Sequence, residues 1–371
     1  MNTHAYSTWL EIDLGAIKQN VKEIKKTTRA QVMAVIKANG YGHGACAVAK
    51  AVTEAGATWC GVARMEEALK LRRAGITSEI MILGYTPPAL IIEAVQNDIH
   101  VAIYDMDKAS EYVEILKIFG GRLKAHLKVE TGMGRLGMPL SQATDFLMQY
   151  QNNDWIQIDG IFTHFARADE PGSGSAQAQL SQFNRFLDQI QQAGLRPGIV
   201  HAANSAAVVN FPEAYYDMVR PGIAIFGLDP APNAPLSGSF KPALTWKARL
   251  TSVRVFPRGH GISYGSSYIT SKEERIGVVP VGYGDGYRRE PGQKVLIQGK
   301  EVDVVGRICM DQFMVQLDDV PEARPGDEVV LLGKQGDQQI TAMDIANRWG
   351  CLHYEVVCGL ADRLPRLYFE S

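Results

Sequence analysis

Two periods of apolar and polar residues alternate along the first 230 positions of the chain. Short, nearly continuous apolar runs predict strands buried on both faces, and segments with apolar residues three or four apart predict helices. Trp9 to Ile12 is a β-rich run ending at Asp13, a good N-cap, and Leu14, Ile17, Val21 and Ile24 follow at helical spacing. Residues 31–36 read as the next strand, and a helical pattern through Val48, Ala51, Val52 and Ala55 stops at Gly56. The cycle then repeats, with strands expected at 58–63, 79–85, 100–104, 123–129, 158–164, 198–202 and 218–226. Helical patterns lie between them, near 65–74, 87–97, 107–119, 141–151, 177–193 and 204–210. Counted from Gln31, this makes eight strand–helix units. Right-handed crossovers between parallel strands allow an open doubly wound sheet or a closed barrel, and eight units in this length favour the barrel.

The pattern changes near residue 230. Pro230, Pro232, Pro235 and Pro242 fall in a stretch rich in glycine and serine, which reads as a linker. Strands dominate beyond it, at 244–256, 276–281, 294–297, 302–307, 314–317 and 328–332, with Gly299-Lys300 as a tight turn and one short helix near 342–349. The expectation is an α/β protein: an N-terminal (β/α)8 TIM-type barrel over residues 9–235 and a β-rich C-terminal domain over 236–371. Residues 1–13 are candidates to pack with the second domain.

Composition narrows the function classes. The formal net charge is −2, and no run of like charge suggests a nucleic-acid surface. No segment has the roughly 20 apolar residues needed to span a bilayer, so a membrane partner is not expected. The first residues show neither the basic region nor the apolar core of a signal peptide, and five scattered cysteines without a CxxC pair suit a reducing compartment. A cytoplasmic protein is the expectation. The eight histidines show neither HxH nor HExxH spacing, so no metal site is expected.

In a parallel barrel, working residues sit at the C-terminal ends of the strands. The first strand runs into Lys37 and the loop Gly40, Tyr41, Gly42, His43, Gly44. The fifth runs through Lys128 to Arg135. The sixth ends at His164, the seventh carries His201 to Asn204 and Ser205, and the eighth carries Arg220, Gly222 and Ile223. A lysine, an arginine pair, hydroxyls and glycine-exposed amides suit a cofactor carrying an aldehyde and a phosphate. An aldehyde needs a lysine able to shed its proton, and the free group titrates near ~10.4. The apolar run Met33 to Ile36 places Lys37 at the edge of a low-dielectric interior. A phosphate needs N–H donors and hydroxyls, which helix N-termini supply. The segment from Gly132 to Gly137 matches GxGxxG, but it belongs to the fifth unit and Pro139 interrupts the turn, which argues against a dinucleotide site. In the second domain Tyr264, read alone, fits a turn tyrosine, and the Cys309-Met310 pair fits core packing.

Taken together, AVIKANGYGHG (34–44), KVETGMGRLG (128–137), HAANSAA (201–207), VRPGI (219–223), ISYG (262–265) and RICMDQ (307–312) resemble the alanine racemase family, in its order and spacing. The departures, Gly40 for alanine, Glu130 for aspartate and Gly284 in the Tyr-Gly-Asp-Gly loop, replace no reacting group. The resemblance implies a pyridoxal 5'-phosphate enzyme that interconverts L- and D-alanine by two bases. Lys37 would carry the cofactor and serve one face of the substrate α-carbon, and Tyr264 of the partner subunit in a homodimer would serve the other. Tyr41, Asn204, Ser205, Gly222, Ile223 and Tyr354 would hold the cofactor's phosphate end. Arg220 would face the pyridine nitrogen with His201 behind it, and His164 would tune Tyr264. Arg135 and the Met310 amide would meet the substrate carboxylate, with Lys128 and Asp311 in support. In some relatives the lysine matching Lys128 is carbamylated. The family's usual product use is D-alanine for peptidoglycan. Racemisation of serine or another small amino acid, and a non-catalytic cofactor-binding protein, stay open as alternatives.

Overall fold

In the computed structural model, residues 5–195 and 198–371 are described, and the first four residues of the leading segment lie outside them. The chain forms two compact units, Gly15–Gly40 with Ala45–Pro242, and Met1–Leu14 with Tyr41–Gly44 and Ala243–Ser371.

The first unit is a closed parallel barrel. Its strands are numbered after β1 (Thr8–Asp13): β2 (Gln31–Val35), β3 (Trp59–Val62), β4 (Glu79–Ile82), β5 (Ile99–Ile103), β6 (Leu123–Lys128), β7 (Ile156–Phe162), β8 (Ile199–Asn204) and β9 (Met218–Arg220). β2 pairs with β9 to close the ring. The expected α/β barrel is therefore present, with helices between successive strands. One expected strand is shorter than its apolar run. Residues 218–226 hold only a three-residue strand, because Pro221 has no N–H to continue the ladder and Ile223–Phe226 coil into a 3-10 turn.

Met33, Trp59, Met81, Ala102, Phe162 and Met218 fill the barrel interior together. Beside this apolar layer runs a polar one. His126 of β6 and His201 of β8 lie 2.8 Å apart, Nδ1 to Nε2, and are fully buried. Gly160 on β7 leaves them room, since a Cβ there would come 2.5 Å from His126 Nδ1 and from the Ile199 carbonyl oxygen. Gly160→Ala is expected to cost about 1–3 kcal/mol by overpacking, read as a lower urea midpoint; an unchanged midpoint would show that the histidine pair shifts freely.

The second unit is built on a twisted sheet of ten strands. β1 lies inside it, antiparallel to Leu244–Arg249 and parallel to Arg366–Phe369. Its core holds Trp9, Trp246, Tyr287 and Phe313, with Tyr287 stacked 5.1 Å from Phe313. Three expectations need correction. Residues 244–256 form two strands, Leu244–Arg249 and Ser252–Phe256, because Leu250 N–H donates to Asp327 and Thr251 N–H to Val278, on different neighbours. The hairpin turn is Gln298-Gly299, both left-handed, since Ile297 already pairs with Lys300. A second helix, His353–Cys358, follows Ala342–Trp349.

Candidate active site

The C-terminal ends of the barrel strands gather Lys37, Lys128, His164, His201, Ser205 and Arg220. Lys37 follows β2 and lines a cavity of ≈ 490 Å³ with Ala38, Ala63, Arg64, Glu66 and Glu67. Directly after it the backbone makes an unusual turn: Ala38, Asn39, Gly40 and Tyr41 all have φ between 50° and 63°. Each non-glycine residue there costs about 1–2 kcal/mol, so three such residues among four consecutive positions must be held from outside.

Arg220, at the end of β9, is buried and hydrogen-bonded on every side by neutral acceptors. Its guanidinium donates to His201 Nδ1 (2.9 Å), the carbonyls of Thr163 (2.8 Å) and Ala202 (3.0 Å), and His164 Nδ1 (3.2 Å). A guanidinium can only donate. His201 must therefore carry its proton on Nε2, which donates onward to His126 Nδ1. Burial lowers Arg220 to about 9. Lys128, at the end of β6, is lowered to about 8, first by burial and then by the charges of Arg135 and Arg220, with a smaller push from Lys37. Among the described residues no carboxylate forms an ion pair with Lys128 or Arg220. The nearest candidate, Glu130, is engaged elsewhere: its carboxylate accepts the N–H groups of Gly132, Met133 and Gly134 and so shapes the loop carrying Arg135. Burial raises the Glu130 carboxyl, but these backbone donors outweigh it and hold it below the ordinary range. The buried cations Lys128 and Arg220 at this mouth suit a phosphate ester or a carboxylate ligand.

Where β8 and β9 end, the Ser205 hydroxyl oxygen accepts from Gly222 N–H at 2.8 Å and from Ala224 N–H at 3.4 Å. Two helical turns begin there, Ser205–Asn210, capped by Asn204 Oδ1, and Ile223–Phe226. The Ser205 hydroxyl and these helix starts at neighbouring strand ends are the kind of groups a phosphate takes.

His126, His164 and His201 are all driven well below the ordinary histidine value, foremost by burial and then by neighbouring positive groups including Arg220. They stay neutral in the fold and ionise in the unfolded chain near ~6.5. Below that pH the unfolded chain binds more protons, so stability falls as pH falls. The expected slope is up to about 1.4 kcal/mol per pH unit for each histidine. Urea midpoints at pH 7.5 and 5.5 check this, and equal midpoints would contradict it.

In the second unit, Tyr41 and Tyr354 pack with ring centroids 6.2 Å apart, and burial raises the Tyr41 phenol strongly. Tyr264 is 66% exposed. It sits in a turn where Ser263, Gly265 and Ser266 have positive φ, and Ser263 Oγ donates to the Arg307 carbonyl at 2.6 Å. Met310 is also exposed, and its carbonyl accepts from Gly284 N–H at 2.9 Å. A Cβ on Gly282 would lie 2.2 Å from that carbonyl oxygen, so glycine lets the two loops nest. Arg363 ties them down, reaching Asp285 at 2.7 Å and Asp311 at 2.8 Å. Sequence reasoning singled out neither Arg363 nor the Glu130 loop brace. Arg363 lies 78 residues beyond Asp285, with no motif of its own, and Glu130 showed itself only as a departure from aspartate.

The geometry has counterparts among known proteins. Residues 12–230 match the family described as alanine racemase, N-terminal domain, and residues 243–368 the alanine racemase C-terminal domain. An alanine racemase of Symbiobacterium thermophilum is 44% identical over 97% of this chain and 97% of its own. One from Carboxydothermus hydrogenoformans is 42% identical over 97% of this chain and 99% of its own. Among solved structures, alanine racemase from Bacillus anthracis with bound L-Ala-P superposes with a TM-score of 0.94 at 38% identity, over 98% of this chain and 95% of that one.

Proposed function

Since the chain belongs to the alanine racemase family, we propose that it interconverts L- and D-alanine with pyridoxal 5'-phosphate, using Lys37 and Tyr264 as the two bases. The support comes from the barrel mouth, where Lys37, the buried cations Lys128 and Arg220 and the Ser205–Gly222 hydrogen bond all lie at the ends of the barrel strands. Bound there, the cofactor supplies an aldehyde for Lys37 and a conjugated ring that withdraws electrons from the substrate α-carbon.

The protein's part is orientation and proton movement. Ser205 with the amides of Gly222 and Ile223 would hold the phosphate, with Asn204 fixing the helical turn behind it, and the family resemblance assigns the phenols of Tyr41 and Tyr354 to the same end. Arg220 would face the ring nitrogen as a donor, because His201 offers its lone pair to the guanidinium and keeps it in place. A positive group there would discourage protonation of the ring nitrogen and so temper how strongly a bound ring draws electrons. Arg135 and the Met310 N–H bind the substrate carboxylate, with Lys128 behind Arg135, Asp311 behind Met310 and His164 near the reacting phenol. Lys37 removes or returns the α-proton on one face, and Tyr264 does so on the other. The large exposure of Tyr264 and Met310 in the single chain supports a homodimer in which Tyr264 of the partner subunit completes each site. The same reading places the enzyme in the cytoplasm, supplying D-alanine for peptidoglycan.

The deciding experiment incubates the holoenzyme with L-alanine and follows D-alanine by chiral chromatography. Racemate is the expected result. Protein that binds the cofactor but forms no D-isomer would be a carrier, and faster turnover of serine would move the substrate assignment.

A further inference from the structure

The left-handed turn after Lys37 is fastened by a side chain from a different strand–helix unit. Glu67 lies in the first turn of the helix Met65–Arg73, which follows β3. Its Oε1 accepts the N–H of Ala38, the amide immediately after Lys37, at 2.6 Å. Its Oε2 accepts the N–H groups of Ala63 at 2.7 Å and Arg64 at 3.3 Å. One carboxylate therefore ties the end of β2 to the end of β3, and both Glu67 and Lys37 line the same cavity.

From this we infer that Glu67 is a positioning residue for Lys37: it holds the Ala38 peptide so that the lysine amine is aimed into the mouth. The inference rests on the proposed role of Lys37 and deepens it. Other ties act further along the turn. Asn39 Oδ1 accepts from Ala45 N–H at 3.1 Å, and Gly40 N–H donates to the Ile36 carbonyl at 2.8 Å. Glu67 Oε1 accepts the N–H of the peptide that directly follows Lys37, where the chain turns away from the strand. Proton transfer demands close alignment of base and α-carbon, and a displacement of about 1 Å can cost on the order of 100-fold in rate.

Glu67 also caps its own helix, and the two duties separate in Glu67→Gln. Glutamine has one acceptor oxygen and one donor amide. Facing its oxygen to Ala63 and Arg64 satisfies two donors, whereas the reverse orientation satisfies one, so the cap should survive. The amide nitrogen then meets the Ala38 N–H donor to donor, and the tie to the turn is lost. Glu67→Ala loses both.

The test compares wild type, Glu67→Gln and Glu67→Ala in two measurements. Hydrogen exchange of the Ala38 amide is followed without cofactor or substrate, and kcat and KM for alanine are measured on the holoenzymes. We expect Glu67→Gln to melt near the wild-type temperature, to exchange Ala38 at least about 10-fold faster, and to lose about 10- to 100-fold in kcat with little change in KM. Glu67→Ala should match that kcat loss and melt lower. If Glu67→Gln keeps wild-type kcat and wild-type Ala38 exchange, the carboxylate only caps its helix and the inference fails. Failure of the racemase reading would look different: wild type itself would make no D-alanine, while the exchange comparison would still stand.

Discussion

Lys37→Ala should lower alanine racemisation by roughly 10³-fold or more while the barrel keeps its melting temperature. Two losses combine in this variant. The α-proton on one face has no base, and the cofactor aldehyde has no amine to hold it. The fold is spared because the Lys37 side chain lines the cavity, whereas the buried residues Met33 to Ile36 carry the packing of that strand. Three readouts check the expectation together: D-alanine formation, the visible absorbance of the holoprotein, and the site of borohydride-fixed label. In wild type the label should be found on Lys37, and in the variant on no residue of the mouth. A variant that retains more than about a tenth of wild-type turnover would exclude Lys37 as a general base of the usual power.

Tyr264→Phe should produce an asymmetry that overall turnover cannot reveal. Both directions of racemisation must slow together, by about 10²–10⁴-fold, because the two enantiomers have equal free energy and the ratio of the forward and reverse specificities is fixed. Exchange of the α-hydrogen with solvent has no such constraint. With Lys37 intact, D-alanine should still trade its α-proton in heavy water without inverting. L-alanine, whose proton faces the missing phenol, should trade almost none. The phenyl ring keeps the bulk of an exposed side chain, so the turn from Ser263 to Ser266 should hold its shape. Mass spectrometry of each recovered enantiomer measures the difference. Equal, small losses of exchange from both enantiomers would undo the two-base assignment.

The barrel was legible because its strands are mostly buried on both faces and separated by helices, so the period changes mark its eight strands. The second unit was less so. The break at Leu250-Thr251 is set by pairing partners at Asp327 and Val278, far along the chain, while the local run of strand-forming residues continues through it. The site behaved in the same way. The lysine loop was visible from its glycines, which advertise close backbone approach. Its conformation was not, because the left-handed path extends through Ala38, Asn39 and Tyr41, which have no such freedom. It depends on Glu67, a residue that reads in isolation as ordinary helix-start acidity. The buried histidine layer was equally silent: His100, His126 and His201 share no short motif, and only closure of the ring stacks them beside Trp59 and Phe162.

The placement of β1 between Leu244–Arg249 and Arg366–Phe369 has a consequence for biosynthesis. β1 precedes both of its neighbours in the chain, so one of its edges stays unmatched until Leu244–Arg249 is made and the other until Arg366–Phe369 is made. Barrel strands from Gln31 to Arg220 can meanwhile find one another in order of appearance. The β-rich unit therefore closes on β1 only after the barrel strands have been made, and a nascent chain stalled short of Arg366 leaves one flank of β1 open to strands of other molecules.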